Sequence, residues 1–131
     1  MGAWGSGNFE NDDAQAWLGQ LTSLTMEDLS PILSRAADND GYLEAPESSV
    51  AVAAAEVVAA LKGASSEAVP REITEWVSKV KAESGAELSA VAMRAVQRVR
   101  TNSELKDLWL EAEGLNEWSA ALRDLERRLA G

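Results

Sequence analysis

The sequence predicts an all-α fold, a single compact domain over residues 1–131 in which about seven short helices pack around a central alanine- and valine-rich helix. Three observations carry that expectation. Apolar residues recur at i, i+3, i+4 and i+7 along most of the chain, capping residues and glycines punctuate them at helix-length intervals, and strand-like alternation never persists. No low-complexity linker and no repeat of fixed period interrupts the pattern.

The first helix starts at Asn11, an N-cap residue followed by Asp12 and Asp13, whose charge complements the helix dipole. Ala14, Trp17, Leu18 and Leu21 then share one face. The second has Thr25 as cap with Asp28 three residues on, and an apolar face of Leu29, Ile32, Leu33 and Ala36. Pro31 leaves two options, a helix kinked at that point or one that begins at Ser30 with proline in its first turn. Asp38-Asn-Asp-Gly41 reads as a turn, with Gly41 supplying a positive φ. Tyr42 to Pro46 reads as extended, because the residue before proline is pushed out of the α region, and Pro46 suits the first turn of the next helix.

That next helix carries the apolar stretch Val50–Leu61 and is apolar almost all round, as a central element must be; Gly63 ends it. Whether a second copy of the chain covers part of it is left open. Pro70 opens a helix with Ile73, Trp76, Val77 and Val80 on one face, closed by Gly85. Ala86–Thr101 follows, with Leu88, Val91, Ala92, Ala95, Val96 and Val99 on its apolar side and arginines toward its C-terminal end. Ser103 caps a helix bearing Leu105, Leu108, Trp109 and Ala112, and Gly114 stops it. Asn116 is the expected cap of the last helix, with Trp118, Ala121, Leu122, Leu125 and Leu129 buried.

Composition narrows the chemistry. A 131-residue domain buries roughly two-thirds of its unfolded surface and needs no staple. With neither cysteine nor histidine, the chain has no disulfide, thiolate, imidazole base or ordinary zinc ligand set. This makes an enzyme the less expected class, and the missing cysteine suits a reducing cytoplasm. The N-terminal Met-Gly-Ala-Trp-Gly-Ser-Gly has no basic start and no apolar run, so we expect no secretory signal. Gly2 and Ser6 match a myristoylation pattern, but no Lys or Arg follows before Arg35, and we read the match as chance. Val50–Leu61, interrupted by Glu56, is too short for a bilayer that needs ~20 apolar residues, so no membrane partner is expected.

Charge is uneven within a formal net of −10. Residues 1–60 hold ten acidic side chains against the single Arg35, and residues 61–131 hold twelve against eleven basic ones. Such a surface repels nucleic acid and favours basic partners or cations. Arg94, Arg98, Arg100, Arg127 and Arg128 raise the option of a basic patch, which the interspersed acids oppose.

The stretches Met1–Ala14, Gly41–Pro46, Ala53–Ala60 and Asn102–Leu105 ahead of Trp109 resemble the uncharacterised bacterial family called domain of unknown function 4259. The resemblance runs nearly end to end. It implies a small bacterial cytoplasmic protein and brings no activity, cofactor or catalytic residue with it.

Several residues remain to be weighed from their own chemistry. The turn after the second helix fits an EF-hand frame in part: with Ala36 as position 1, Asp38 and Asp40 fall at 3 and 5, Gly41 at 6, Leu43 at 8 and Glu47 at 12. Ala36 offers no oxygen and Pro46 stiffens position 11, so a helix end followed by an Asx turn is the plainer expectation, and calcium or magnesium the lesser one. Glu56, inside the apolar helix, needs a donor if it is buried. We expect that donor from the glycine-rich N-terminal segment, through backbone N–H groups or the Trp4 indole. A general-acid role would need a second carboxylate, and no motif supplies one. Gly2, Gly5 and Gly7 lack the strand and Lys-Ser or Lys-Thr of a phosphate loop, and are read as freedom for Trp4 and Phe9 to bury their rings.

Three functions follow as expectations. The first is a small binding or inhibitor module, monomeric or weakly dimeric, whose acidic N-terminal half recognises a basic protein, as an immunity or antitoxin-like protein does. The second is an enzyme using carboxylates, Tyr42 or lysine with a divalent metal near Asp38, Asp40, Glu44, Asp12 and Asp13. The third is a calcium- or magnesium-responsive regulator built on the same turn.

Overall fold

The computed structural model describes residues 5–66, 69–80 and 86–131, and among them it has seven α-helices and no strand. They are α1 (Asp12–Leu18), α2 (Met26–Ala37), α3 (Ala45–Leu61), α4 (Arg71–Val80), α5 (Ala86–Thr101), α6 (Glu104–Glu111) and α7 (Leu115–Ala130), with a 3-10 turn at Leu21–Ser23.

The centre is α3, which contacts each of the other six helices. Residues 51–59 of α3 are buried without a break, so one chain suffices to cover it. Its alanines let backbones approach closely, and the larger volumes come from its neighbours: Leu29 and Leu33 of α2, Ile73 and Trp76 of α4, Val96 and Val99 of α5, Leu122 and Leu125 of α7. The Trp76 indole donates to the Leu24 carbonyl at 3.0 Å, so a large apolar ring is buried with its N–H satisfied. Trp17 and Trp118 are buried as expected, and Trp109 only partly.

Helix ends explain most boundaries. Asn11 accepts from the Ala14 amide at 2.8 Å. Asp28 accepts from the Thr25 amide at 2.8 Å, which places the start of α2 at Thr25 and Pro31 inside the helix, at an exposed position. The alternative start at Ser30 is thereby replaced. Gly63, at φ +80, closes α3 with its own amide on Ala60 and the Ala64 amide on Ala59, the paired bonds of a Schellman end.

Three local expectations are corrected. Gly41 is not in the left-handed region; Asn39 accepts from its amide at 2.7 Å, and that Asx turn suffices. Pro70 does open α4, standing just before it with its carbonyl accepting from Ile73 and Thr74. Asn116 lies within α7, whose N-cap is Gly114. Gly114 is also the last partner of the α6 end, where Glu113 takes the left-handed conformation at φ 59 and the Gly114 amide bonds Trp109. A Cβ on Gly114 would stand 2.7 Å from the Trp109 ring, so close approach selects glycine there. Ala112 is exposed as the C-cap of α6, not buried on its face. The expected closure at Gly85 lies outside the described residues.

Candidate functional site

Two places bring sequence-distant polar side chains together. The first surrounds Glu56, which at 2 % exposure is the deepest ionisable group of the described residues. Its carboxylate receives the Arg128 guanidinium on both oxygens, at 2.7 and 2.9 Å, and the Asn8 amide at 2.8 Å. Arg128 also donates to Asp124 at 2.9 Å and to the Ala64 carbonyl at 3.2 Å. The Glu56 bond pushes the Arg128 guanidinium further above its ordinary range, against the opposing effect of burial. One carboxylate thus joins α3, α7, the loop after α3 and the N-terminal segment.

The expectation that the N-terminal segment supplies a donor to Glu56 holds in part. The donor is the Asn8 side chain rather than backbone N–H groups, and Trp4 lies outside the described residues. Arg128, the main partner, was missed. It sits three residues beyond Leu125 and seven beyond Ala121, on the border of the buried stripe of α7, whereas Arg123 and Arg127 point outward; that position was the available signal. Phe9 packs partly against the core, and its carbonyl accepts from Gln15 at 2.9 Å. A cleft of about 250 Å³ opens here, lined by Asn8, Glu10, Glu56, Ser66, Asp124 and Arg128. Both Glu56 oxygens are taken by donors, so the arrangement ties segments together; Glu10 and Asp124 line the same cleft, Asp124 sharing Arg128 with Glu56.

The second place is the connection from Asp38 to Glu44, held from two sides. On one side α5 supplies Arg94, 2.5 Å from Asp38, and Arg98, which donates to the Asn39 and Gly41 carbonyls. On the other, α6 supplies a reciprocal pair: the Glu104 amide donates to Leu43 at 2.8 Å, and the Glu104 carboxylate accepts from the Ala45 amide at 2.8 Å. Glu104 therefore caps α3, whose own N-cap residue, Glu44, makes no side-chain capping bond. One turn further along α6, Asp107 accepts from the Tyr42 hydroxyl at 2.7 Å. That bond, with lesser contributions from burial and the charges of Asp107, Glu104 and Glu111, pushes the tyrosine pKa up to about 12.

The residues of the EF-hand frame sit in different surroundings. Asp38 faces a guanidinium, Asp40 is exposed, and Glu47 lines a shallow groove of about 270 Å³ with Ile32, Arg35, Ala36 and Val50. Among the described residues no three carboxylates gather into a cation cage. Asp12 and Asp13 lie in the first turn of α1, where their charge meets the helix dipole. No helix of the described residues is long and apolar enough to cross a membrane.

The arginines weighed as a basic patch are committed elsewhere. Arg100 pairs with Glu126 at 2.5 Å, and Arg127 with Asp124. Comparison with known families finds one match, to the family described as Domain of unknown function (DUF4259), over residues 2–121. No curated protein and no solved structure matches.

Proposed function

The chain belongs to the DUF4259 family, and from that premise we propose that it is an acidic binding or inhibitor module that recognises a basic surface of a protein partner, in the manner of an immunity or antitoxin protein. One observation carries the reading: among the described residues the domain commits most of its cations to partners within the chain. Arg71, Arg94, Arg100, Arg127 and Arg128 pair with carboxylates of the same chain, and Arg98, Lys62 and Lys106 donate to backbone carbonyls. Asp12, Glu27, Glu44, Glu111 and Glu117 are exposed with no cation beside them among the described residues. A predominantly negative outward field steers basic partners and rejects nucleic acid. The same field disfavours self-association beyond a weak homodimer.

The enzymatic and cation-responsive alternatives draw less support. Glu56 is saturated by donors, the Tyr42 hydroxyl is bound to Asp107, and the Asp38 turn is faced by two arginines. The reading is tested by capturing partners on the immobilised domain from its source cells at rising salt. A captured protein of basic surface whose association slows as the Debye length contracts below ~10 Å supports it. A partner held equally at all salt concentrations overturns it.

A further inference from the structure

We propose that the face formed by Tyr42 and α6 is the docking site for an arginine- or lysine-bearing segment of that partner, its aliphatic stem against Tyr42 and Leu110 and its cation among Glu104, Asp107 and Glu111. The proposal rests on the basic-partner reading and places it mostly on α6, in the second half of the chain rather than in the acidic N-terminal half expected from the sequence.

Tyr42 and Leu110 are the large hydrophobic side chains of the described residues that stay exposed, each at 57 %. Both border the same acidic row. Glu104, Asp107 and Glu111 stand at i, i+3 and i+7 along α6, and Leu110 follows Asp107 by one turn. Tyr42 is joined to that row by its bond to Asp107. Among the described residues no lysine or arginine pairs with any of the three carboxylates. The surface therefore presents apolar area and negative charge side by side.

Lysine and arginine are the side chains that match both, because they carry an apolar stem under a charged head and bind over aromatic rings. A second copy of this chain matches poorly, since it brings a net charge of the same sign. The face is also set in advance. The segment carrying Tyr42 is held by Arg98 on the Asn39 and Gly41 carbonyls, by the reciprocal Leu43–Glu104 and Ala45–Glu104 bonds, and by the tyrosine hydroxyl itself. An anchor already ordered loses little freedom on binding.

The test uses the full 131-residue chain and a hexa-arginine peptide, followed by amide chemical-shift titration at low salt with hexa-glutamate as control. Shifts centred on Tyr42, Asp107, Leu110 and Glu111 are expected, with affinity falling ~10-fold in a Tyr42→Ala/Leu110→Ala double variant and hardly at all in Asp12→Asn/Asp13→Asn. Leu110→Ala alone, at an exposed position, keeps the test independent of folding; it should weaken binding without lowering the melting midpoint. Shifts spread over all acidic residues or centred on α1, or an unchanged affinity in Leu110→Ala, overturn this site while leaving the basic-partner reading standing. Concentration-dependent dimerisation that Leu110→Ala abolishes assigns the face to a second copy and overturns it too. No shift at any residue overturns both.

Discussion

The Glu56–Arg128 pair and the Tyr42–Asp107 pair perform the same task in opposite settings. Each ties a non-helical segment to a helix far away in sequence, the N-terminal segment to α3 and α7 in one case, the α2–α3 connection to α6 in the other. The first lies inside the domain with Glu56 at 2 % exposure, and the second lies in water with Tyr42 at 57 %. Burial decides what each is worth. Breaking an interior pair strands a charge in low dielectric, whereas water replaces a lost surface bond at little cost. The interior tie therefore governs whether the domain is folded, and the surface tie governs how one face is presented.

That contrast breaks most sharply at Arg128. Arg128→Met leaves the Glu56 carboxylate buried with Asn8 alone, and should lower the unfolding free energy by about 3–5 kcal/mol in urea titration. Adding Glu56→Leu should recover much of the loss, because an apolar pair of similar volume is often as stable as the ion pair it replaces. A double variant no more stable than the single one would show that Glu56 contributes something beyond charge balance.

Gly114→Ala asks whether the two ties are independent. The added methyl meets the Trp109 ring, which lines the seat of Gly5, Gly7 and Asn8 on one side of α6 while Asp107 holds Tyr42 on the other. We expect a loss of about 1–3 kcal/mol from overpacking, measured by thermal melt. Amide shifts at both Asn8 and Tyr42 would show that α6 moves as a body.

The surface tie has a spectroscopic signature of its own. Tyr42 is the only tyrosine, so tyrosinate absorbance reports it alone. Its midpoint should lie near pH 12 in the folded protein rather than at the ordinary 10.0, and Asp107→Asn should bring it back toward the ordinary value. A phenol whose folded pKa is raised stabilises the fold while it is protonated. Its contribution is complete below about pH 10, where the unfolded chain begins to ionise, and is lost as pH rises toward about 12. The smallest effect concerns metal. Millimolar calcium or magnesium should leave the melting midpoint unchanged, because Arg94 and Arg98 already face the Asp38–Gly41 turn. A rise abolished by Asp40→Ala would reinstate the cation-binding reading.

What the sequence made legible divides along the same line between local and distant. Asn11, Thr25 and Ser103 announced three helix starts because capping involves residues only three apart. The burial of Glu56 was legible because alanine and valine surround it on every side of α3. Its partners were not, since Asn8 and Arg128 lie 48 and 72 residues away and any exposed amide or arginine looked equally able to reach it. Tyr42 and Asp107, 65 residues apart, posed the same difficulty. The error at Asn116 was local: asparagine is a good capping residue type, but the end of α6 at Gly114, whose amide bonds Trp109, lets α7 begin at Leu115.

Glu104 closes one helix's start with another's first residue, and the consequence is kinetic. The Ala45 amide is sheltered only while α6 is formed, because its acceptor belongs to α6 and not to α3. Local opening of the eight-residue α6 therefore unlocks the leading turn of the central helix in the same event. Hydrogen–deuterium exchange at Ala45 should keep pace with the amides of α6, while residues 51–59 exchange only on global unfolding.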